Sequence, residues 1–350
     1  MMKILFLDGT PGFYPNRLNE KPTGGILTSL THIPRLLVKA GHDVSIASLH
    51  KVNETVEGVK YIGDLIEKNV WDVVVFNRNF LDRDMVRFFR DSYKILWLHD
   101  VADPSYFKDD AFSLVDKVVA LSIYQRDCYS DFYSIPSDRF LIIPNGVDKK
   151  IFYRSEYVER RDDLFVSSSA PIKGLYPLEY TMSNMKRWDS NIEMRLYSSQ
   201  KLHEMEDSAR HKGLMGRIAA AGASVLDPIP QKELADVFRS ATALLMPNSY
   251  PEMCSNLLLQ AQACGLPVIA TNIGSAPEYI THRLTGMLTD RGPQDLYWWH
   301  HNFVKQCAEV FYNKGLREEI SRLSPIGVRS WEDIGDQWGS MLNNVFSAVA

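Results

Sequence analysis

Short runs of consecutive apolar residues recur along this chain, each stopped by glycine, proline or a polar residue and followed by a helical pattern. Ile4-Leu5-Phe6-Leu7 stops at Asp8-Gly9, Val73-Val74-Val75-Phe76 at Asn77, and Ile95-Leu96-Trp97-Leu98 runs into His99-Asp100. Lys117 to Ser122 and Phe140 to Ile143 complete the series in the first half. The second half restarts it with Leu164 to Ser168, Ile192 to Tyr197, Ala223 to Leu226, Ala243 to Met246 and Val268 to Ala270. A strand with one wet face alternates apolar and polar residues, whereas a strand covered on both faces does not. These runs therefore predict parallel strands under helices. The repetition predicts an α/β chain of two doubly wound, Rossmann-like domains facing each other across a cleft.

Length agrees, because 350 residues is long for a single core. A net charge of -4 offers no general attraction for nucleic acid or an acidic membrane. The 4 cysteines, Cys128, Cys254, Cys264 and Cys307, have neither CxxC nor zinc spacing and read as reduced thiols. No signal-peptide pattern follows Met1, and no apolar run approaches the roughly 20 residues that span a bilayer. A cytoplasmic protein is expected, with no transmembrane segment and at most a weak peripheral association with a membrane surface.

The stretch from Met246 to Glu278 reads as strand end, loop, helix, turn, strand and loop, with an acid on each outer loop. Glu252 precedes Cys254-Ser255-Asn256, where a helix starts on small polar residues and continues from Leu257 to Ala263. Unpaired N–H groups at such a start favour a phosphate or a sugar hydroxyl. Glu278 follows Pro277 and has a plainer reading as an acid in the first turn of a helix. In the first half, Gly24-Gly25 follows the first strand, either as a flexible turn or as backbone that approaches an anion. Pro34 interrupts the helix expected from Ile26 to Ala40. His99 stands beyond a strand's carboxyl end, where open parallel sheets bind ligands. A structural histidine paired with Asp100 or Asp103 explains it equally well. The charge-rich residues from Tyr153 to Asp163 read as a solvated linker, giving domains at 1–155 and 156–327 and a terminal segment at 328–350.

Together these pieces resemble the retaining nucleotide-sugar glycosyltransferases of GT-B fold, family 4. The resemblance is carried by Ile143-Pro144-Asn145-Gly146-Val147-Asp148, Lys173-Gly174-Leu175, Pro247-Asn248-Ser249 with Pro251-Glu252, and Gln262 to Thr271. Gly274-Ser275-Ala276-Pro277-Glu278 and Thr285-Gly286-Met287-Leu288 complete it, and the tail from Ser330-Trp331 is similar to the family's helix that crosses back onto the first domain. The resemblance implies metal-independent sugar transfer, with retention and without a cofactor, to a glycan, a lipid-linked glycan or a protein. It places the donor diphosphate near Lys173, Ser168, Gly25 and the helix start at Cys254, Ser255, Asn256 and Leu257. It puts Glu252 and His99 at the reacting sugar, and Gly24, Asp100 and Glu278 on the acceptor or sugar side. Ile229-Pro230 falls where relatives read the base.

Two positions depart from the family pattern. The second acid expected eight residues after Glu252, which holds the ribose, is Gln260. A wholly helical interval would put it about 12 Å along the axis. The arginine expected five residues before Lys173 is Ser168, leaving Arg78 or Arg126 as stand-in cations. These departures keep open a catalytically impaired nucleotide-sugar binder that serves as a partner subunit. A nucleotide-sugar epimerase on the same scaffold is a third reading.

Overall fold

Ile4 to Leu7 and Val73 to Phe76 are all 1% exposed or less, as strands covered on both faces must be. The computed structural model describes residues 1–49, 53–63, 70–78, 83–103, 111–203, 205–290 and 296–347. They fall into two units. Met1–Glu20, Gly24–Gly146 and Arg329–Ala350 make the first, and Lys21–Thr23 with Val147–Val328 the second.

The first unit holds β1 (Lys3–Leu7), β2 (Asp43–Ala47), β3 (Glu54–Val56), β4 (Val59–Ile62), β5 (Val73–Asn77), β6 (Tyr93–Trp97), β7 (Lys117–Ala120) and β8 (Phe140–Ile142). They form an 8-stranded sheet in the order β3-β4-β2-β1-β5-β6-β7-β8, parallel except at the β3–β4 hairpin. The chain runs outward from β1 to one edge and then returns to β5 and runs to the other. The order thus reverses between β1 and β5, where a doubly wound sheet opens a crevice at the strands' carboxyl ends. The register pairs Leu7 with Phe76, so Asp8 and Asn77 leave the sheet side by side.

Gly24 caps the helix Gly25–Lys39 in extended backbone, at φ -73°, and so needs no left-handed conformation. The helix continues through Pro34, contrary to the expected interruption. The terminal helix Trp331–Ser347 also belongs to this unit and opens on a reciprocal cap. Asp333 N–H donates to Ser330 Oγ at 3.1 Å, and Ser330 N–H donates to Asp333 Oδ2 at 2.7 Å. Trp331 stacks on His32 at 4.9 Å, and Trp338 packs edge-on against Trp97 at 5.0 Å. Gly146 lies under this helix: a Cβ there would sit 2.7 Å from Ser330 O, so close approach and not turn geometry requires the glycine.

The second unit holds β9 (Leu164–Ser167), β10 (Glu193–Tyr197), β11 (Ser224–Leu226), β12 (Ala243–Met246), β13 (Val268–Thr271) and β14 (Met287–Thr289). The 6-stranded sheet runs β11-β10-β9-β12-β13-β14, with every pairing parallel. Here the order reverses between β9 and β12. Leu178, Met182, Phe165, Leu245 and Phe303 share the core between the sheet and its helices.

The charge-rich run is mostly exposed from Tyr153 to Glu159, as expected of a solvated linker, but Arg160 and Arg161 at its end are bound to the second unit. Arg160 donates through Nη1 to Phe238 O at 2.7 Å and Ala241 O at 3.0 Å, closing the end of the helix Gln231–Ser240. Burial lowers its pKa to about 10, so it remains charged at neutral pH. Arg161 bridges Asp163 and Glu193, both at 2.8 Å. The two units divide between Gly146 and Val147.

Candidate functional site

The loops after β9 and β12 flank the point where the second sheet reverses, and each carries one charged residue from the sequence motifs. After β9, Pro171–Lys173 forms a single 3-10 turn closed by Gly174 in the left-handed region, at φ +91°. A Cβ at Gly174 would lie 2.0 Å from Ser249 Oγ, so the turn presses against the loop after β12. Ser249 N–H donates to Lys173 O at 2.7 Å and seals that contact. Lys173 Nζ then reaches Glu252 Oε1 at 2.6 Å, and Asn248 Nδ2 donates to the same oxygen at 2.9 Å.

Glu252 is held by its backbone as well as its side chain. Ser275 N–H donates to Glu252 O at 2.9 Å. Gly274, at φ +61°, brings its Cα so close that a Cβ would meet Glu252 O at 2.6 Å. The carboxylate side chain is 13% exposed and the lysine's 31%, so the pair is shielded but reachable. A ligand bearing more negative charge than one carboxylate would compete with Glu252 for the ammonium.

The helix Asn256–Ala263 begins four residues beyond Glu252, with Ser255 as its cap and no side-chain hydrogen bond from that cap to the first turn. The interval from Glu252 to Gln260 is thus part loop and not wholly helical. Gln260 is 8% exposed, Cys254 8% and Ser255 7%. Ser168 is half-buried just after β9, and Leu257 is half-buried in the first helical turn. Ile229 and Pro230 follow the edge strand β11, with Pro230 capping Gln231–Ser240. Glu278 is exposed in the first turn of the short helix Ala276–Tyr279.

Gly24, Gly25, His99 and Asp100 belong to the first unit. Asp100 does not pair with His99: its carboxylate accepts from Arg78 Nε at 2.8 Å, on a residue in the left-handed region at φ +63°. Arg126 pairs with Asp127 at 2.7 Å, so both proposed stand-in cations are ion-paired residues of the first unit. His99 Nε2 is buried with no hydrogen-bond partner, and its ring lies 4.6 Å from that of Trp97. Burial, with the charge of Arg78 adding to it, lowers the imidazole pKa to about 3 and keeps it neutral.

Sequence reasoning missed Asp8 and Asn77 beside these residues. Asn77 Nδ2 and Thr10 Oγ1 both donate to Asp8 Oδ1 at 2.7 Å. Burial raises the Asp8 pKa against these bonds. Polar residues directly after β1 and β5 were the available signal. Asn248, Gly274 and Ser275 stood in the motifs that carry the resemblance, but without an assigned role. Among the described residues no group of three His, Cys, Asp or Glu could hold a metal ion, and no helix is long and apolar enough to cross a membrane.

Residues 161–298 match the family model of glycosyl transferases group 1. A D-inositol 3-phosphate glycosyltransferase of Paenarthrobacter aurescens is 29% identical over 233 residues, covering 61% of this chain and 53% of the relative. The chain thus spans about half the length of that curated relative. Sucrose-phosphate synthase of Thermosynechococcus elongatus superposes over 99% of this chain and 100% of its own, with a TM-score of 0.78 at 15% identity. Alr3699/HepE of Anabaena, solved with UDP and glucose, superposes over 98% and 100%, with a TM-score of 0.71 at 16% identity. At such identities the likeness shows the fold, which is the α/β GT-B fold expected from the motifs.

Proposed function

We propose, for a chain whose residues 161–298 match the glycosyl transferases group 1 family model, that it transfers a sugar from a nucleotide diphosphate sugar to a hydroxyl of a glycan, lipid-linked or protein acceptor. The anomeric configuration is retained, and neither metal nor cofactor takes part. The observation that carries this reading is the contact of Lys173 with Glu252, at 2.6 Å, across the reversal point of the second sheet. A cation and a shielded carboxylate, each at a strand's carboxyl end, suit a diphosphate joined to a sugar.

A diphosphate carries more charge than one carboxylate and draws Lys173 off Glu252 as the donor arrives. The ammonium and the helix start at Ser255 to Leu257 then balance charge on the departing group. Glu252, released from the lysine but still tied to Asn248, is left for a hydroxyl of the sugar. The bond from the anomeric carbon to the diphosphate oxygen breaks with its electron pair on the diphosphate. The acceptor oxygen bonds to that carbon, and its proton passes to the departing group.

Gln260 is assigned the ribose, through an amide that both donates and accepts, and Ile229-Pro230 the base. Ser168 and Cys254 complete the donor lining. In the first unit, His99 is assigned the transferred sugar, Gly25 the phosphate, and Gly24 and Asp100 the acceptor side, with Glu278 in the second. UDP-bearing complexes of a structural neighbour support a nucleotide donor. A thermal-shift screen of UDP-, GDP- and ADP-sugars, followed by transfer and donor-hydrolysis assays, tests the reading. A chain that binds a nucleotide sugar without transferring or hydrolysing it is a binder and not an enzyme. An isomerised nucleotide sugar among the products would mark an epimerase.

A further inference from the structure

Asn248 is 5% exposed, and its Nδ2 donates to the Glu252 oxygen that Lys173 also holds. A carboxylate only accepts, so this contact decides which end of the amide faces Glu252: the nitrogen does, and the carbonyl turns away. That carbonyl oxygen, Oδ1, is buried without a hydrogen-bond partner. Thr271 Oγ1, at the end of the neighbouring strand β13, is likewise buried and unpartnered, on a residue 2% exposed.

Both residues line one small cavity with Glu252 and Ser255, walled on other sides by Leu258 and Ile273. Its volume is about 20 Å³, and a single water or hydroxyl needs at least about 10–15 Å³ on this measure. The two oxygens are complementary in kind. Oδ1 accepts a proton and the threonine hydroxyl donates one, so a hydroxyl within reach of both would satisfy both.

We propose that Asn248 is a positioning and specificity residue of the donor site, fixing Glu252 Oε1 while its Oδ1 and Thr271 Oγ1 receive one hydroxyl of the donor sugar. The inference rests on the reading of the second unit as the donor site. It selects by chemistry: a deoxy or fluoro sugar at that position leaves a buried oxygen unpaired.

The test compares wild type with Thr271→Val, Asn248→Ala and Asn248→Asp, using the nucleotide sugar found by the thermal-shift screen. Thr289→Val serves as control, since Thr289 Oγ1 is also buried and unpartnered but does not line the cavity. Thr271→Val should match or exceed wild type in ligand-free melting temperature while the donor KM rises roughly tenfold. The control should leave the donor KM unchanged. Asn248→Ala should lower kcat roughly 10- to 100-fold at every pH. Asn248→Asp should be as impaired at pH 8 but recover towards pH 5.5, because two carboxylates facing Lys173 at this spacing can share one proton.

If Thr271→Val melts lower and leaves the donor KM unchanged, the cavity holds an ordered water only and the proposal fails. Matching pH profiles for the two Asn248 variants would also overturn it. Wild type that binds no nucleotide sugar removes the donor-site reading itself, and the proposal falls with it.

Discussion

Lys173 Nζ donates to Glu252 Oε1 at 2.6 Å although 79 residues separate them in sequence. The pair makes the proposed site self-neutralised until a donor arrives, and it divides the two residues' roles. Lys173→Ala should weaken donor binding roughly 10- to 100-fold, the range of one charge-assisted hydrogen bond. Glu252→Gln keeps the shape and should lower kcat on the order of 10²- to 10³-fold, while affinity stays level or tightens as the lysine is released. Calorimetric titration with donor separates the two, and equal affinity losses in both variants would contradict this division.

Gly274 and Gly216 are opposite cases of one substitution. At Gly274 the backbone is left-handed, and a Cβ would collide with the Glu252 backbone at 2.6 Å. Gly274→Ala should destabilise the fold by more than about 1–2 kcal/mol, the strain of that conformation alone, and should abolish turnover by displacing Glu252. Gly216 lies inside the helix Ala209–Ala220 with nothing within 4 Å of a Cβ. Gly216→Ala should stabilise by roughly 0.5–1 kcal/mol, with activity unchanged. Urea denaturation measures both.

His99 and His32 are each held near pKa 3 by burial, against 6.5 when unfolded, with nearby positive charge adding to it. The unfolded chain therefore binds more protons between these values, so each histidine makes stability fall as pH falls from about 6.5 towards 3. The slope is about 1.4 kcal/mol per pH unit for each histidine well inside that window. Asp8, whose pKa is raised by burial, works in the opposite sense just above the ordinary carboxylate range. His99→Gln should flatten the acid limb of the melting-temperature profile between pH 4 and 6.5. Asp8→Asn should steepen it.

Gln260 stands where the resemblance implies a second acid, and it is only 8% exposed. Gln260→Glu would place a charge where water reaches poorly, so the ligand-free protein should melt lower. If ribose hydroxyls meet this residue, the donor-induced rise in melting temperature should exceed that of wild type, because the bound donor then pairs the new carboxylate. An unchanged rise would remove Gln260 from the ribose.

Val74, Leu244 and Ile269 announce strands covered on both faces, since a water-facing strand cannot carry unbroken apolar runs. The motifs among and after them resemble those of the GT-B glycosyltransferases, and that resemblance implied the fold and the importance of Lys173 and Glu252.

Which groups meet was decided elsewhere. Asp100 next to His99 in sequence goes to Arg78, because the strand pairing of Asn77 with Trp97 brings the two loops together. Arg160, in a run that reads as solvated, is bound to carbonyls at the end of a helix that follows it by some seventy residues. Local sequence encodes burial and helix limits through each residue's own chemistry. The meeting of Lys173, Asn248 and Glu252 depends on the sheet order that puts β9 beside β12, and only the folded sheet supplies that order.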